Sequence, residues 1–503
     1  MVSGLKSVFK KYFHLLCLSG ILMLASILRL DHLSLRPFWL DEASIANPIT
    51  TPLVNSWQTL IDSGNNAAYF YLLKSWSLLF GDSEVGLRSL SVILSLLSII
   101  AIYKFGSRLG GKIVGLWAAF LLATSYFSVF YSIQARHYSL VILLSILSYY
   151  EFYILLENKK FKTIAWYIIF TVLGIYTHPW FLLLLASQFV YLWLNKKILK
   201  IFISQFFIIL LSLPWILTLW QYRVNGANSW IVLTSLKTIF STFYYFIYGS
   251  TGIYILFGLI ATLFILGRFE LTKEMIYYKL NHLNYPRINS SLVLLLNYLF
   301  FTLLIALIVG RFIPFYEVGR YEAVVLPAFI LLLALLFSHI KNKWLVGALI
   351  VLLIIFSYIA VINERSSITN QTINERSTVS SLLSLAQDGD RIVFTGLSRP
   401  SIEYYINHLN FQKKILKTNS FPEEMAKHQA YQDIGKIIKD NNNTLPSTSP
   451  LINEIKSSIH GRVWLVFTEN NPFALSLKNE FQSQFIEQAY LPGPYYYIIL
   501  YKY

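Results

Sequence analysis

The sequence predicts an α-helical polytopic membrane protein, with about eleven transmembrane helices and a small C-terminal α/β domain outside the bilayer. Three observations carry this expectation. The chain is 56% hydrophobic and 17% aromatic with only 13% charged residues; apolar runs close to the length of a bilayer crossing recur along most of it; and basic residues fill every second short loop between those runs.

A soluble protein of 503 residues would need a polar shell that this composition cannot supply. The mean hydropathy of +0.55 agrees, so lipid must do the covering. The formal charge of +16 invites a nucleic-acid partner. The lysines and arginines fall in short clusters between apolar runs, however, and form no continuous basic face, so no nucleic acid is expected. Cys17 is the one cysteine, and it excludes an intrachain disulfide or a cysteine metal cage. The first apolar run lacks a small-residue cleavage site at its end and reads as a retained span.

A helix needs roughly 20 apolar residues to cross the hydrocarbon. About eleven candidate runs, two of them shorter than this, extend approximately over 12–30, 87–105, 113–131, 138–156, 164–176, 180–194, 201–219, 239–266, 292–309, 323–340 and 344–361. Pro179 and Pro214 allow a different division of the stretch from 180 to 220. Lys6, Lys10 and Lys11 precede the first run. Basic loops then follow in alternation, at Lys104, Arg108 and Lys112, at Lys159, Lys160 and Lys162, at Lys196, Lys197 and Lys200, at Arg268 to Arg287, and at Lys341 and Lys343. Positive loops stay cytoplasmic, which places the N terminus on the cytoplasmic side and the segment after Val361 outside, with the plasma membrane as the expected location.

The transmembrane domain is expected over 1–362, with a large first outer loop over 31–86. Within that loop Tyr69, Leu72, Leu73, Trp76 and Leu79 recur at helical spacing, predicting a surface helix over 67–80. The tail over 363–503 reads as a soluble extracytoplasmic α/β domain: strands over 391–395, 462–468 and 495–501, a helix opened by Arg399-Pro400, and a polar linker over 441–449.

Sorted by side, the conspicuous polar residues at span ends gather outside. They are Asp41 and Glu42 after the first span, Gln134, Arg136 and His137 after the third, His178 after the fifth, and Arg320 and Glu322 before the tenth. An adjacent carboxylate pair among aromatic residues suits acid or base chemistry on a hydroxyl, because partial burial raises a carboxylate's proton affinity. The same pair equally suits the first turn of a short helix beginning near Asp41, where the helix dipole favours acids. In a helix the two side chains face different ways, so at most one touches the reacting atoms. Arg136 and Arg320 suit an anionic head group, or simple anchoring at the interface. His137 and His178 are candidate metal ligands or proton donors. A glycine-rich phosphate loop and a Walker lysine are both missing from the sequence, and the runs hold almost no mid-span ionisable residue, so nucleotide-driven chemistry and transport are unsupported.

Five stretches stand out in order: Trp39-Leu40-Asp41-Glu42-Ala43; Gly81-Asp82-Ser83-Glu84 with Leu87-Arg88; Tyr131-Ser132-Ile133-Gln134-Ala135-Arg136-His137-Tyr138; Tyr176-Thr177-His178; and Gly319-Arg320-Tyr321 with Leu326-Pro327. Together they resemble glycosyltransferase family 39, the GT-C class that includes protein O-mannosyltransferases and lipid A aminoarabinose transferases. Their order from 28 to 340 carries the likeness more than any one of them.

The resemblance implies a polyprenyl-phosphate sugar donor, an acceptor hydroxyl on a lipid, glycan or protein, and attack with inversion at the anomeric carbon within the membrane lipid boundary. It maps the base or acceptor binder to Asp41, with Glu42 beside it, and the donor phosphate to Arg136 and Arg320, with His137, His178 and Tyr321 nearby. No nucleotide is required, no cofactor is assigned, and a divalent metal stays open. Family members often carry H-P-P-L-Y-Y ahead of the surface helix, whereas this chain reads Asn65-Asn66-Ala67-Ala68-Tyr69-Phe70-Tyr71. The missing histidine and prolines leave acceptor preference and metal use open. Two other classes share these features: a lipid-phosphate binder or flippase that releases no sugar, and a polysaccharide polymerase or ligase, which would use a diphosphate carrier.

Overall fold

The computed structural model describes residues 2–503 apart from 32, 51, 53–54, 56, 59, 61–65, 158–159, 196–198, 225–230, 232, 247–289, 341, 370–372, 397, 411–412, 424–446, 458–460, 468–471 and 495. Along the chain run α1 (Val2–Leu30), α2 (Leu40–Ala46), α3 (Ala67–Phe80), α4 (Glu84–Gly110), α5 (Lys112–Thr124), α6 (Tyr126–Ser132), α7 (Tyr138–Glu157), α8 (Phe161–Thr177), α9 (Phe181–Leu194) and α10 (Leu199–Val224). They are followed by α11 (Leu236–Phe246), α12 (Ser290–Leu296), α13 (Thr302–Phe312), α14 (Leu326–Ser338), α15 (Lys343–Thr369), α16 (Glu375–Leu385), α17 (Arg399–Leu409), α18 (Ser449–Lys456) and α19 (Pro472–Gln484). The chain divides into two compact units: residues 1–33, 88–215 and 231–365 form the first, and residues 34–87, 216–230 and 366–503 the second.

Among the described residues six helices are long and apolar enough to cross a bilayer, and α5 with α6 makes a seventh span bent by 57°. α8, α9 and α14 are apolar but shorter. Ten of the eleven expected runs are therefore helical; most of the run over 239–266, its basic loop and much of the polar linker lie outside the described residues. Pro214 sits inside α10 without ending it. Pro179 instead falls in the turn between α8 and α9, where it separates two helices.

Lipid gives helices no hydrophobic reason to associate, so the first unit is held by close approach and buried hydrogen bonds. A side chain at Gly115 would lie 2.1 Å from Ser107 Oγ, and one at Gly106 would lie 3.1 Å from the Gly115 Cα, so these glycines let α4 and α5 nearly touch. Ser148 bonds Thr171 (2.8 Å), Tyr149 bonds Ser187 (2.7 Å), Tyr167 donates to Gln188 (2.7 Å) and Asn297 donates to the Ser187 carbonyl (2.8 Å). The bend at Ser125 has its own device. Arg29, wholly buried, donates to the carbonyls of Ala123 (2.8 Å) and Leu122 (3.3 Å) at the end of α5, and to Ser95 (2.9 Å) and Ser128 (3.0 Å).

The second unit contains a five-stranded sheet in the order β2-β1-β3-β5-β4, with β1 (Arg391–Phe394), β2 (Lys417–Ser420), β3 (Arg462–Phe467), β4 (Ile486–Pro492) and β5 (Tyr497–Lys502). β1 runs parallel to β2 and β3, which require crossovers, while β3, β5 and β4 alternate in direction. Val393, Leu465, Ile499, Phe473, Leu477 and Phe481 form its core. Asp390, fully buried, is satisfied by Arg462 (2.9 Å), the Trp464 indole (2.8 Å) and the Gln387 N–H (3.0 Å), as a buried charge must be. The strands expected from sequence correspond to β1, β3 and β5; β2 and β4 were not expected. The helix predicted over 67–80 is α3.

Candidate active site

Of the seven residues that the resemblance assigns to the site, five meet in the first unit. Arg136 and His137 lie in the turn between α6 and α7, His178 follows α8, and Arg320 and Tyr321 lie between α13 and α14. The His137 and His178 rings stack at 5.3 Å, and the Tyr321 ring meets His178 edge-on at 4.8 Å. Asp41 and Glu42 belong to the second unit.

Helix ends supply this geometry because apolar helices must stop where polar groups begin. The turn after α6 is held by the Arg136 N–H on the Gln134 carbonyl (2.8 Å) and by Ser91, which donates to the Arg136 carbonyl (3.2 Å). α14 begins with Pro327 in its first turn, where a missing N–H costs nothing, so the preceding residues are free to fold as a tight turn. In that turn Gly319 adopts φ +87°, a conformation that favours glycine. Its N–H donates to Glu322 (2.6 Å), the Arg320 N–H donates to the same carboxyl (3.1 Å), and the Tyr131 hydroxyl donates to the Gly319 carbonyl. The Arg320 guanidinium pairs with Glu317 at 3.2 Å.

The electrostatics are those of a cationic site lined by neutral donors. Burial pushes His178 down to about 3, with the Arg136 charge acting in the same direction. Burial likewise holds His137 well below the usual imidazole range, assisted by Arg136, His178 and Arg320. The Trp180 N–H donates to His178 Nδ1 (3.2 Å). A neutral His178 then carries its proton on Nε2 and is a donor there. Glu322 is pushed up to about 8 by burial, partly opposed by the backbone N–H groups that it accepts. Two guanidinium groups, one imidazole N–H and the Tyr321 hydroxyl match the acceptor oxygens of a phosphate. Among the described residues no group of three His, Cys, Asp or Glu side chains gathers as a metal site, so the stacked histidines are assigned no metal.

In the second unit Asp41 and Glu42 occupy the first turn of α2, whose N-cap is Trp39. Glu42 is fully buried and Asp41 partly exposed, so the two carboxylates do face different surroundings. Glu375, at the start of α16, is held above the ordinary carboxylate range chiefly by burial, with the Arg36 charge lowering it and the Glu42 charge raising it.

Sequence reasoning missed Glu317, Tyr131 and the gripping role of Glu322. The acids three residues before and two residues after Arg320 were a signal available for two of them. Nothing local could link Tyr131 to Gly319.

The family model described as dolichyl-phosphate-mannose-protein mannosyltransferase matches residues 67–222. No curated protein sequence matches the chain. The fold is similar to the crystal structure of ArnT from Cupriavidus metallidurans bound to undecaprenyl phosphate, with a TM-score of 0.59 at 9% identity over 97% of each chain. The apo state of the same protein gives 0.57 at 9% identity over 98% of each. At such identity the likeness speaks for fold. The chain is thus a multi-pass membrane protein with an ArnT-like fold, and the expected resemblance to glycosyltransferase family 39 is borne out over residues 67–222, which the family model matches and which hold three of the five stretches.

Proposed function

We propose that this chain transfers a sugar from a polyprenyl-phosphate donor to an acceptor hydroxyl at the outer face of the membrane. The observation that carries the reading is the gathering of Tyr321 and the stacked His137 and His178 rings, with the charges of Arg136 and Arg320 acting on His137 and that of Arg136 on His178. ArnT, the fold's counterpart, has been seen with undecaprenyl phosphate, which supports a lipid-phosphate donor. In the reaction the acceptor oxygen attacks the anomeric carbon and the bond from that carbon to the phosphate oxygen breaks. The acceptor proton passes to Asp41, with Glu42 beside it in the chain, and the polyprenyl phosphate leaves carrying an additional negative charge. Arg136 and Arg320 stabilise that developing charge, and His178 and Tyr321 donate hydrogen bonds to it. A phosphate ester is already a leaving group, so no nucleotide is needed.

The test supplies the protein in proteoliposomes with a labelled polyprenyl-phosphate sugar and a mixture of lipid, glycan and peptide acceptors. Arg136→Gln and Arg320→Gln are each expected to weaken donor use by about 10- to 100-fold, the worth of one charge-assisted hydrogen bond. Unchanged transfer in both variants, or transfer only from a diphosphate-linked sugar, would overturn the reading.

A further inference from the structure

α2 is seven residues long and Trp39, its N-cap, supplies no side-chain hydrogen bond. A helix that short has no stability of its own in water, so its position is set by what it touches. What it touches is the C-terminal domain. The Phe38 N–H, just ahead of α2, donates to the Tyr405 hydroxyl (2.7 Å), the Phe38 ring lies 4.8 Å from that of Tyr404, and Asn47, just behind α2, donates to the Pro400 carbonyl (2.8 Å).

These contacts join a second set through one carboxylate. Glu84, in the first turn of α4, accepts from the Tyr405 hydroxyl and forms an ion pair with Arg376. Arg376 also donates to the Ser34 carbonyl (3.0 Å). Tyr405 therefore accepts from the chain before α2 and donates to the chain after α3, while Arg376 holds the start of the same loop. The Glu84 pair is partly buried, and both of its donors come from the tail.

We propose that Arg376 and Tyr405 are positioning residues that, through Glu84, lock the segment carrying Asp41 and Glu42, so that the C-terminal domain acts as a clamp on the candidate catalytic helix. Neither residue touches substrate. Their effect is on where α2 sits, and a displacement near 1 Å of a reacting group is enough to cost about 100-fold in rate. The proposal rests on Asp41 being the base, but its structural half is testable without any activity.

The experiment compares the full-length protein with Arg376→Ala, Tyr405→Phe, Glu84→Gln and the double variant Arg376→Ala/Glu84→Gln in lipid nanodiscs. Backbone hydrogen exchange over 38–47 is read beside transfer kinetics. The expected result is exchange over 38–47 faster by about tenfold or more, with β1 and β3 unchanged, and kcat lowered up to about 100-fold at unaltered donor KM. The double variant loses no more than Arg376→Ala alone, because both act through one pair. Arg376→Lys restores part of the loss. Exchange over 38–47 unchanged in both Arg376→Ala and Tyr405→Phe overturns the clamp. So does strict additivity in the double variant. Should Arg376→Ala unfold the sheet, the milder Tyr405→Phe decides. Full activity in Asp41→Asn would sink the assignment of the base and leave the exchange result standing, so the two failures are distinguishable.

Discussion

Glu322 holds Arg320 by its backbone: one buried carboxyl accepts the N–H of Arg320 (3.1 Å) and that of Gly319 (2.6 Å). The turn is thus set from inside, while the Arg320 guanidinium pairs with Glu317. Removing the carboxyl as Glu322→Ala leaves two N–H groups to find other acceptors and should cost about 1–3 kcal/mol, read as a lowered Tm. Glu322→Gln keeps an acceptor and should cost less at neutral pH.

The same residue predicts a pH effect. Its folded affinity for protons, raised from 4.5 to about 8, means that the native state binds the extra proton. Stability from this source is complete below about 4.5 and is lost as pH rises towards 8. The wild type should therefore show a Tm that declines across that window more steeply than Glu322→Gln does. Parallel profiles for the two would show that Glu322 is not the group responsible.

His178 predicts an absence of titration. Held near 3 and already accepting at Nδ1, it is neutral across physiological pH and works as an Nε2 donor. His178→Gln, whose amide reaches a similar position, should keep substantially more activity than His178→Ala, on the order of tenfold. A wild-type inflection between pH 6 and 7 that disappears in His178→Gln would contradict this assignment.

Arg29 predicts a stability effect without a donor effect. Its guanidinium satisfies the Leu122 and Ala123 carbonyls, which α5 leaves open where the span bends at Ser125. Arg29→Met strands those carbonyls in an apolar surrounding and should lower stability by about 3 kcal/mol. Arg29→Lys should recover only part, since a single ammonium cannot fork across two carbonyls and two hydroxyls. Thermal unfolding in detergent reads the first effect, and an unchanged donor KM in Arg29→Lys reads the second.

What could be read in the sequence divides by the range of the interaction. The spans followed from length and hydropathy, and α3 fell on Ala67–Phe80 because its apolar spacing is local. β1, β3 and β5 are buried apolar runs and announced themselves. β2 reads Lys417-Thr418-Asn419-Ser420, a polar edge strand whose pairing with β1 comes from position alone, and β4 is mostly exposed. Arg29 looked like an ordinary residue at a span end, because Ser95, Leu122, Ala123 and Ser128, to which it donates, lie 66 to 99 residues away. Arg136, His137, His178 and Arg320 stand out in the sequence since each is polar where an apolar run stops, whereas Tyr321 comes from the family resemblance alone. The Tyr131 hydroxyl and Gly319, 188 residues apart, are joined only by the fold.

Asp41 and Glu42 offer the sharpest separation of catalysis from folding, because adjacent positions in one short helix have opposite exposure. Glu42 is fully buried, so replacing it perturbs packing and the neighbourhood of Glu375 and Arg36. Asp41 is partly exposed, as the proposed base must be to meet an acceptor. Asp41→Asn should lower kcat by about 100-fold or more, the usual worth of a general base, while Tm and donor binding stay near wild type. Glu42→Gln should show the reverse pattern, a lowered Tm with a smaller loss of kcat in the protein that remains folded. Were Glu42→Gln to abolish transfer at an unchanged Tm while Asp41→Asn turned over normally, the base would be the buried carboxylate, and acceptor access to α2 would have to come from its other side.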